Sequence, residues 1–155
     1  DRAWDEQDLA GLREAYGFPV FAGVELTTDM GHVLAFGLNP ASYSALAAEV
    51  FESAGREGAL LYLAHPARDG LLRVSADTVK FFESVEAING SDSRLQNMAA
   101  TGLAGGFRLP GIGGSDAHSG EEVGRAATRF ERPIASLDDL LRELAAGRYE
   151  AVALG

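Results

Sequence analysis

Cysteine is absent from the 155 residues, which removes disulfide frameworks, thiolate zinc sites and cysteine nucleophiles together. Lysine occurs once, as Lys80 after Val79, so no Gly-Lys-Ser/Thr phosphate loop can be written. No apolar run approaches the ~20 residues that a membrane helix needs, and no basic-then-apolar leader is recognisable. Basic residues are in the minority: 13 Lys and Arg stand against 23 Asp and Glu, for a formal charge of −10 and a pI of about 4.6. A field of that sign repels phosphate backbones and anionic lipid surfaces, and no Lys/Arg run reverses it locally. Neither membrane binding nor nonspecific nucleic-acid binding is expected. What remains is a cytoplasmic protein acting on small molecules, with or without a metal held by nitrogen and oxygen.

The residues present are those of an ordinary globular protein: 46% hydrophobic, 23% charged, with mean hydropathy near zero. At this length one core is the default, so residues 1–155 are expected to form a single domain. Leu9, Leu12 and Tyr16 recur at helical spacing until Gly17 and Pro19. Val20 to Leu26 and His32 to Leu38 read as strands around the turn residues Asp29-Met30-Gly31. Ser44 to Ser53 then reads as a helix and Leu60 to Leu63 as a buried strand. The same grammar continues with a helix over 76–83, a strand over 84–89 and a helix over 92–100. A brief strand at Gly111-Ile112-Gly113 and another over 125–130 follow. Ser136, three residues before Asp139, starts a helix over 137–146, and Tyr149 to Leu154 reads as a final strand. Alternating strands and helices with short connections predict an α/β fold with a mostly parallel sheet.

The three histidines carry the chemistry. His32, His65 and His118 all fall at junctions beside small or turn residues: Gly31-His32, Ala64-His65-Pro66 and Gly114-Ser115-Asp116-Ala117-His118. A lone histidine is usually structural, but three of three at strand ends, where α/β folds collect their catalytic groups, point to a site. Asp116 and His118 stand two apart and in extended geometry project to the same side. Glu25 is the one carboxylate in the run Phe21 to Leu26; it is either surface-facing by alternation or buried against a cation or hydrogen-bond donors. Together Glu25, His32, His65, Asp116 and His118 make a sulfur-free ligand set, suited to Zn, Mn or Fe. A mixed site with open positions activates water, so hydrolysis by metal-bound hydroxide is the implied reaction class.

Five motifs, Gly23-Val24-Glu25-Leu26-Thr27-Thr28, Gly31 to Gly37 (GHVLAFG), Ala64-His65-Pro66, Glu86-Ala87-Ile88-Asn89-Gly90 and Gly114-Ser115-Asp116-Ala117-His118, resemble in order and spacing the later motifs of the PHP (polymerase and histidinol phosphatase) superfamily. The resemblance runs from residue 1 to about residue 130, and Gly-Ser-Asp-Ala-His is its most specific part. It implies a distorted barrel of about seven β/α units with a two- or three-metal site that hydrolyses phosphoesters. It also implies that Glu25 bridges metals, that His65 binds one, and that Asp116 with His118 closes the set. His32 matches the histidine of the family's Gly-His-Val-Leu-like strand and is expected on the substrate side with Arg68 and Asn89; Arg68, shortly after Ala64-His65-Pro66, reads either as a solvated loop arginine or as a bidentate holder of a substrate phosphate. The opening His-x-His and Asp-His motifs of the family are missing. Asp1-Arg2-Ala3-Trp4-Asp5 reads as the tail of a Thr-Asp-His-Asp motif. The chain is therefore expected to be the C-terminal part of a PHP domain without its first one or two β/α units, a partial (β/α)7 barrel. It would be inactive alone and would expose or pair its sheet edge, with a homo-oligomer as one outcome.

Competing motifs fail residue by residue. Asp116 stands where a dinucleotide fingerprint beginning at Gly111 needs its last glycine, and Ala117 stands where a serine elbow around Ser115 needs one. Asn89-Gly90-Ser91 reads as a turn. Two functions from different classes stay in view: a metal-dependent phosphoesterase acting on a small phosphorylated substrate, and a non-catalytic PHP-like module that binds a ligand or regulates.

Overall fold

A computed structural model describes residues 6–68 and 76–155. The opening stretch Asp1 to Asp5 lies outside them. The elements in chain order are α1 (Glu6–Tyr16), β1 (Val24–Thr28), β2 (Gly31–Phe36), α2 (Ala47–Glu57), β3 (Leu60–Leu63), α3 (Ala76–Val79), β4 (Ser84–Asn89), α4 (Arg94–Ala104), β5 (Ile112–Gly114), β6 (Ala126–Phe130), α5 (Leu137–Ala145) and β7 (Tyr149–Ala153). Strands β1 to β5 form one sheet in sequential order, and β6 and β7 form a separate antiparallel pair.

The sheet is mixed and open. Its β1–β2 and β2–β3 ladders are antiparallel, whereas β3–β4 and β4–β5 are the parallel ladders that the alternating strand and helix pattern predicts. The chain reverses after β1 because Thr28 pairs with Gly31 across a two-residue turn, where the Thr28 hydroxyl donates to the Gly31 carbonyl at 2.7 Å. Asp29 in that turn accepts the Ala47 amide at 2.8 Å, so the hairpin also caps the start of α2. The expected α/β class is there; closure into a barrel is not.

Alternation along the strands builds two apolar layers. Leu26, Val33, Ala35, Leu61, Leu63, Val85 and Ala87 face Val50, Phe51 and Ala54 of α2. On the opposite face, Leu34, Phe36, Leu60, Tyr62 and Ile112 meet Leu140 and Leu144 of α5 together with Phe130 and Tyr149. Burying aliphatic side chains of this size stabilises by about 1.5–3 kcal/mol each, which makes α2 and α5 the main clamps on the sheet. The buried hydroxyls of Tyr62 and Tyr149 meet at 2.9 Å, and Tyr149 donates onward to the Pro110 carbonyl at 2.7 Å.

Two local expectations are corrected. The helix predicted over 76–83 stops at Val79, because the Phe82 amide closes a turn on the Val79 carbonyl and Glu83 donates to Leu61 to start β4. Phe81 and Phe82 then pack on Phe51, a tertiary contact that overrides helical spacing. The helix predicted from residue 92 begins at Arg94, because Ser93 is its N-cap and shares a capping box with Gln96. Gly113 explains the glycine-dense approach to β5: a Cβ there would lie 2.3 Å from the Ala127 carbonyl oxygen, so only glycine lets β5 meet the β6–β7 pair this closely.

Candidate metal centre

The β1–β2 register places Thr27 opposite His32 and Glu25 opposite Leu34. Glu25 and His32 are therefore diagonal neighbours on one face, within reach of each other. His32 Nδ1 lies 2.6 Å from Glu25 Oε1. Beyond the end of β3, Ala64 donates its amide to the His32 carbonyl, and the next residue turns its ring into the same space. His65 Nε2 lies 3.3 Å from Glu25 Oε1 and 3.2 Å from His32 Nδ1. The three donor atoms lie within 4.8 Å of one another. Two imidazoles and one carboxylate around one point are a ligand set for a borderline divalent cation such as zinc, with positions left over for water or substrate.

His65 is buried and holds a backbone φ of 27°. Its amide donates to Glu86 Oε2 at 2.9 Å, and Glu86 is itself buried on β4. Asn89, three residues further along β4 and past its register shift, donates from Nδ2 to the same Glu86 oxygen at 2.9 Å and to Asp116 Oδ2 at 3.3 Å. Asp116 Oδ2 also accepts from Arg68 at 2.5 Å. Arg68 reaches Asp92 Oδ1 through Nε at 2.8 Å and Asn89 Oδ1 through Nη2 at 3.1 Å. A cavity of about 330 Å³ is lined by Glu25, Glu86 and Asp116 on its polar side, with Phe36, Ile112 and Leu144 among its apolar walls.

These contacts set the protonation. The hydrogen bond with His65, joined by the charges of both histidines, holds the Glu25 carboxyl below its usual range although burial opposes it. Burial pulls His65 toward the neutral ring but is outweighed by the Glu25 hydrogen bond and the charges of Glu25 and Glu86, so His65 is raised. Burial pushes Glu86 up, against the hydrogen bonds from Asn89 and His65. For Asp116 burial is outweighed by Arg68 and Asn89, and its carboxyl is lowered.

The sequence-predicted residues divide into groups. Glu25, His32 and His65 come together, with His32 beside the carboxylate rather than on a separate substrate side. Arg68, Asn89 and Asp116 form a second, hydrogen-bonded group, of which Asp116 lines the same cavity as Glu25. His118 is exposed: its Nδ1 lies 3.0 Å from the Asp116 backbone carbonyl and its amide donates to Glu122 at 2.7 Å. Among the described residues it is not in the metal-capable group. Sequence reasoning passed over Glu86 and Asp92 as site residues. A carboxylate inside the strand run Ser84 to Asn89 is the same signal that singled out Glu25, whereas nothing local marks Asp92, whose side chain is 1% exposed.

Among known proteins, residues 94–149 match a family model described as PHP-associated. No curated protein matches the chain. The matched stretch runs from the start of α4 to the first residue of β7 and includes Asp116 and His118; Glu25, His32 and His65 lie before it. Residues 94–149 are thus similar to a PHP-associated family, which is consistent with the C-terminal portion of a PHP-superfamily protein.

Proposed function

We propose that this chain contributes a divalent-metal centre to a PHP-type phosphoesterase that cleaves a small phosphorylated substrate, its open sheet being part of a distorted barrel. The observation that carries the reading is the convergence of Glu25 Oε1, His32 Nδ1 and His65 Nε2 within 4.8 Å, with Glu25 also lining a cavity. The donor set fits zinc, manganese or iron, and such an ion would supply Lewis acidity toward water and a phosphoryl oxygen.

The protein's own groups have separable tasks. Glu25 and the two imidazoles hold the ion, and Glu25 is kept ionised by His65. Arg68 is oriented by Asp92, Asn89 and Asp116, the last of which lines the cavity, and this suits a planar fork that contacts a phosphate. Phe36, Ile112 and Leu144 keep one side of the cavity apolar and limit access of bulk water.

Metal content after loading with Zn²⁺, Mn²⁺ or Fe²⁺, followed by turnover of a panel of phosphate monoesters, tests the reading. Metal retention by the unsubstituted chain and turnover by a longer form containing it are expected, with metal binding weakened and turnover lost in Glu25→Gln. Retention without turnover by the chain or any longer form containing it favours the ligand-binding module, and absence of any bound metal contradicts both the centre and the reaction.

A further inference from the structure

Among the described residues, only His65 and Asp116 are non-glycine residues with left-handed backbone, at φ 27° and 47°. Side chains other than glycine, and to a lesser degree Asn and Asp, resist that region, so something must hold each residue there. One buried pair contacts both residues, His65 at its backbone amide and Asp116 at its carboxylate. Glu86 Oε2 accepts the His65 amide at 2.9 Å and the Asn89 amide group at 2.9 Å, and that same Asn89 amide group reaches Asp116 Oδ2 at 3.3 Å. Glu86 is 4% exposed and Asn89 1% exposed, so neither has water to fall back on. A carboxylate at such a place is costly unless its lone pairs are used, and here they are used on the backbone of a candidate metal ligand.

Gly114 completes the arrangement. A Cβ at this position would lie 2.7 Å from Glu86 Oε1, so the glycine of Gly-Ser-Asp-Ala-His leaves room for this carboxylate from the neighbouring strand. The β4–β5 register brings Asn89 opposite Gly114, which ties the two motifs together at the parallel ladder.

We infer that Glu86 is a positioning residue: through its own oxygen it fixes the backbone of His65, and through Asn89 it orients the carboxylate of Asp116, which lines the same cavity as Glu86. This inference deepens the metal-centre reading and rests on it for the function served, but the positioning itself can be read without metal. Glu86→Gln keeps an acceptor oxygen in place, whereas Glu86→Ala removes it; Gly114→Ala leaves Glu86 intact but drives its carboxylate away.

Amide hydrogen exchange of His65 in metal-free protein is the first readout. Glu86→Gln is expected to keep the protection and Glu86→Ala to lose it. Zn²⁺ titration is the second: Glu86→Ala and Gly114→Ala are expected to bind about tenfold or more weakly than the unsubstituted chain, and Glu86→Gln within about threefold. If Glu86→Ala does not fold by circular dichroism, Gly114→Ala decides both readouts. Unchanged His65 protection in the deciding variant overturns the positioning, as does unchanged Zn²⁺ affinity when the unsubstituted chain binds the ion. An unsubstituted chain that binds no Zn²⁺, with His65 protection still lost in the deciding variant, overturns the metal reading and upholds the positioning.

Discussion

Arg68 Nη2 and Asp116 Oδ2 stand 2.5 Å apart, joining the loop after β3 to the loop after β5 across the end of the parallel ladder. The same guanidinium holds Asp92, whose side chain is 1% exposed and whose Oδ2 has no hydrogen-bond partner among the described residues. Removing Arg68 would leave that carboxylate buried and uncompensated. Arg68→Ala is therefore expected to destabilise by about 2–3 kcal/mol in urea denaturation, below the full cost of breaking a buried pair because Arg68 is itself partly solvated. Arg68→Lys, which cannot present Nε and Nη2 together, is expected to recover less than half of the loss.

The acid limb of stability should depend on the same contact. Asp116 has its carboxyl held below the ordinary value of 3.8, so it releases its proton more readily folded than unfolded. Its contribution is complete above the unfolded value and is lost as pH falls through the lower folded value. Glu86 has the opposite sign: its carboxyl is raised, so its ionisation works against folding as pH rises from the unfolded value through the folded one. Urea midpoints measured against pH should therefore show Arg68→Ala with a flatter loss of stability below about pH 4 than the parent chain. An unchanged acid limb would contradict the assignment.

The tyrosine pair makes an asymmetric prediction. Tyr149 donates to Pro110 and accepts from Tyr62, so Tyr62→Phe removes one donor and leaves the Pro110 bond intact. Tyr149→Phe instead strands the buried Tyr62 hydroxyl and the Pro110 carbonyl. Expected losses are about 1 kcal/mol for the first and about 2–3 kcal/mol for the second, read from thermal or urea unfolding. Equal losses would mean that the hydrogen-bond direction is reversed or that the pair is not buried.

Gly113→Ala places a methyl 2.3 Å from the Ala127 carbonyl oxygen, a backbone atom that cannot swing aside. A loss of about 2–3 kcal/mol is expected, whereas Gly120→Ala, with nothing within 4 Å of its Cβ position, should change stability by less than about 0.5 kcal/mol. The pair separates a packing requirement from a general aversion to alanine at glycine positions.

How much of this was legible in the sequence follows from the range of the interactions involved. Strand and helix order could be read because it rests on local alternation and caps: Ser136 caps α5 through the Asp139 amide as its spacing predicts. Glu25, His32 and His65 were individually conspicuous, each a polar residue at a strand or junction. Their convergence depends on a hairpin register and on the β2–β3 ladder, which no local pattern specifies. The helix over 76–83 was misjudged because Phe81 and Phe82 obey Phe51, thirty residues earlier in the chain. His118 looked like a partner of Asp116 from its two-residue spacing. Asp116 adopts a left-handed backbone, so extended alternation does not apply there; its carboxylate meets Arg68 and Asn89, while the His118 ring meets the Asp116 backbone carbonyl.

Cobalt substitution tests the central claim most directly, because the d–d absorption of Co²⁺ reports the number and type of its ligands. The account predicts a single ion bound with low-coordinate, imidazole-containing spectra, weakened about tenfold or more by each of Glu25→Gln, His32→Ala and His65→Ala and unchanged by His118→Ala. Co²⁺ spectra that persist in the His32 and His65 variants but vanish with His118→Ala would contradict it.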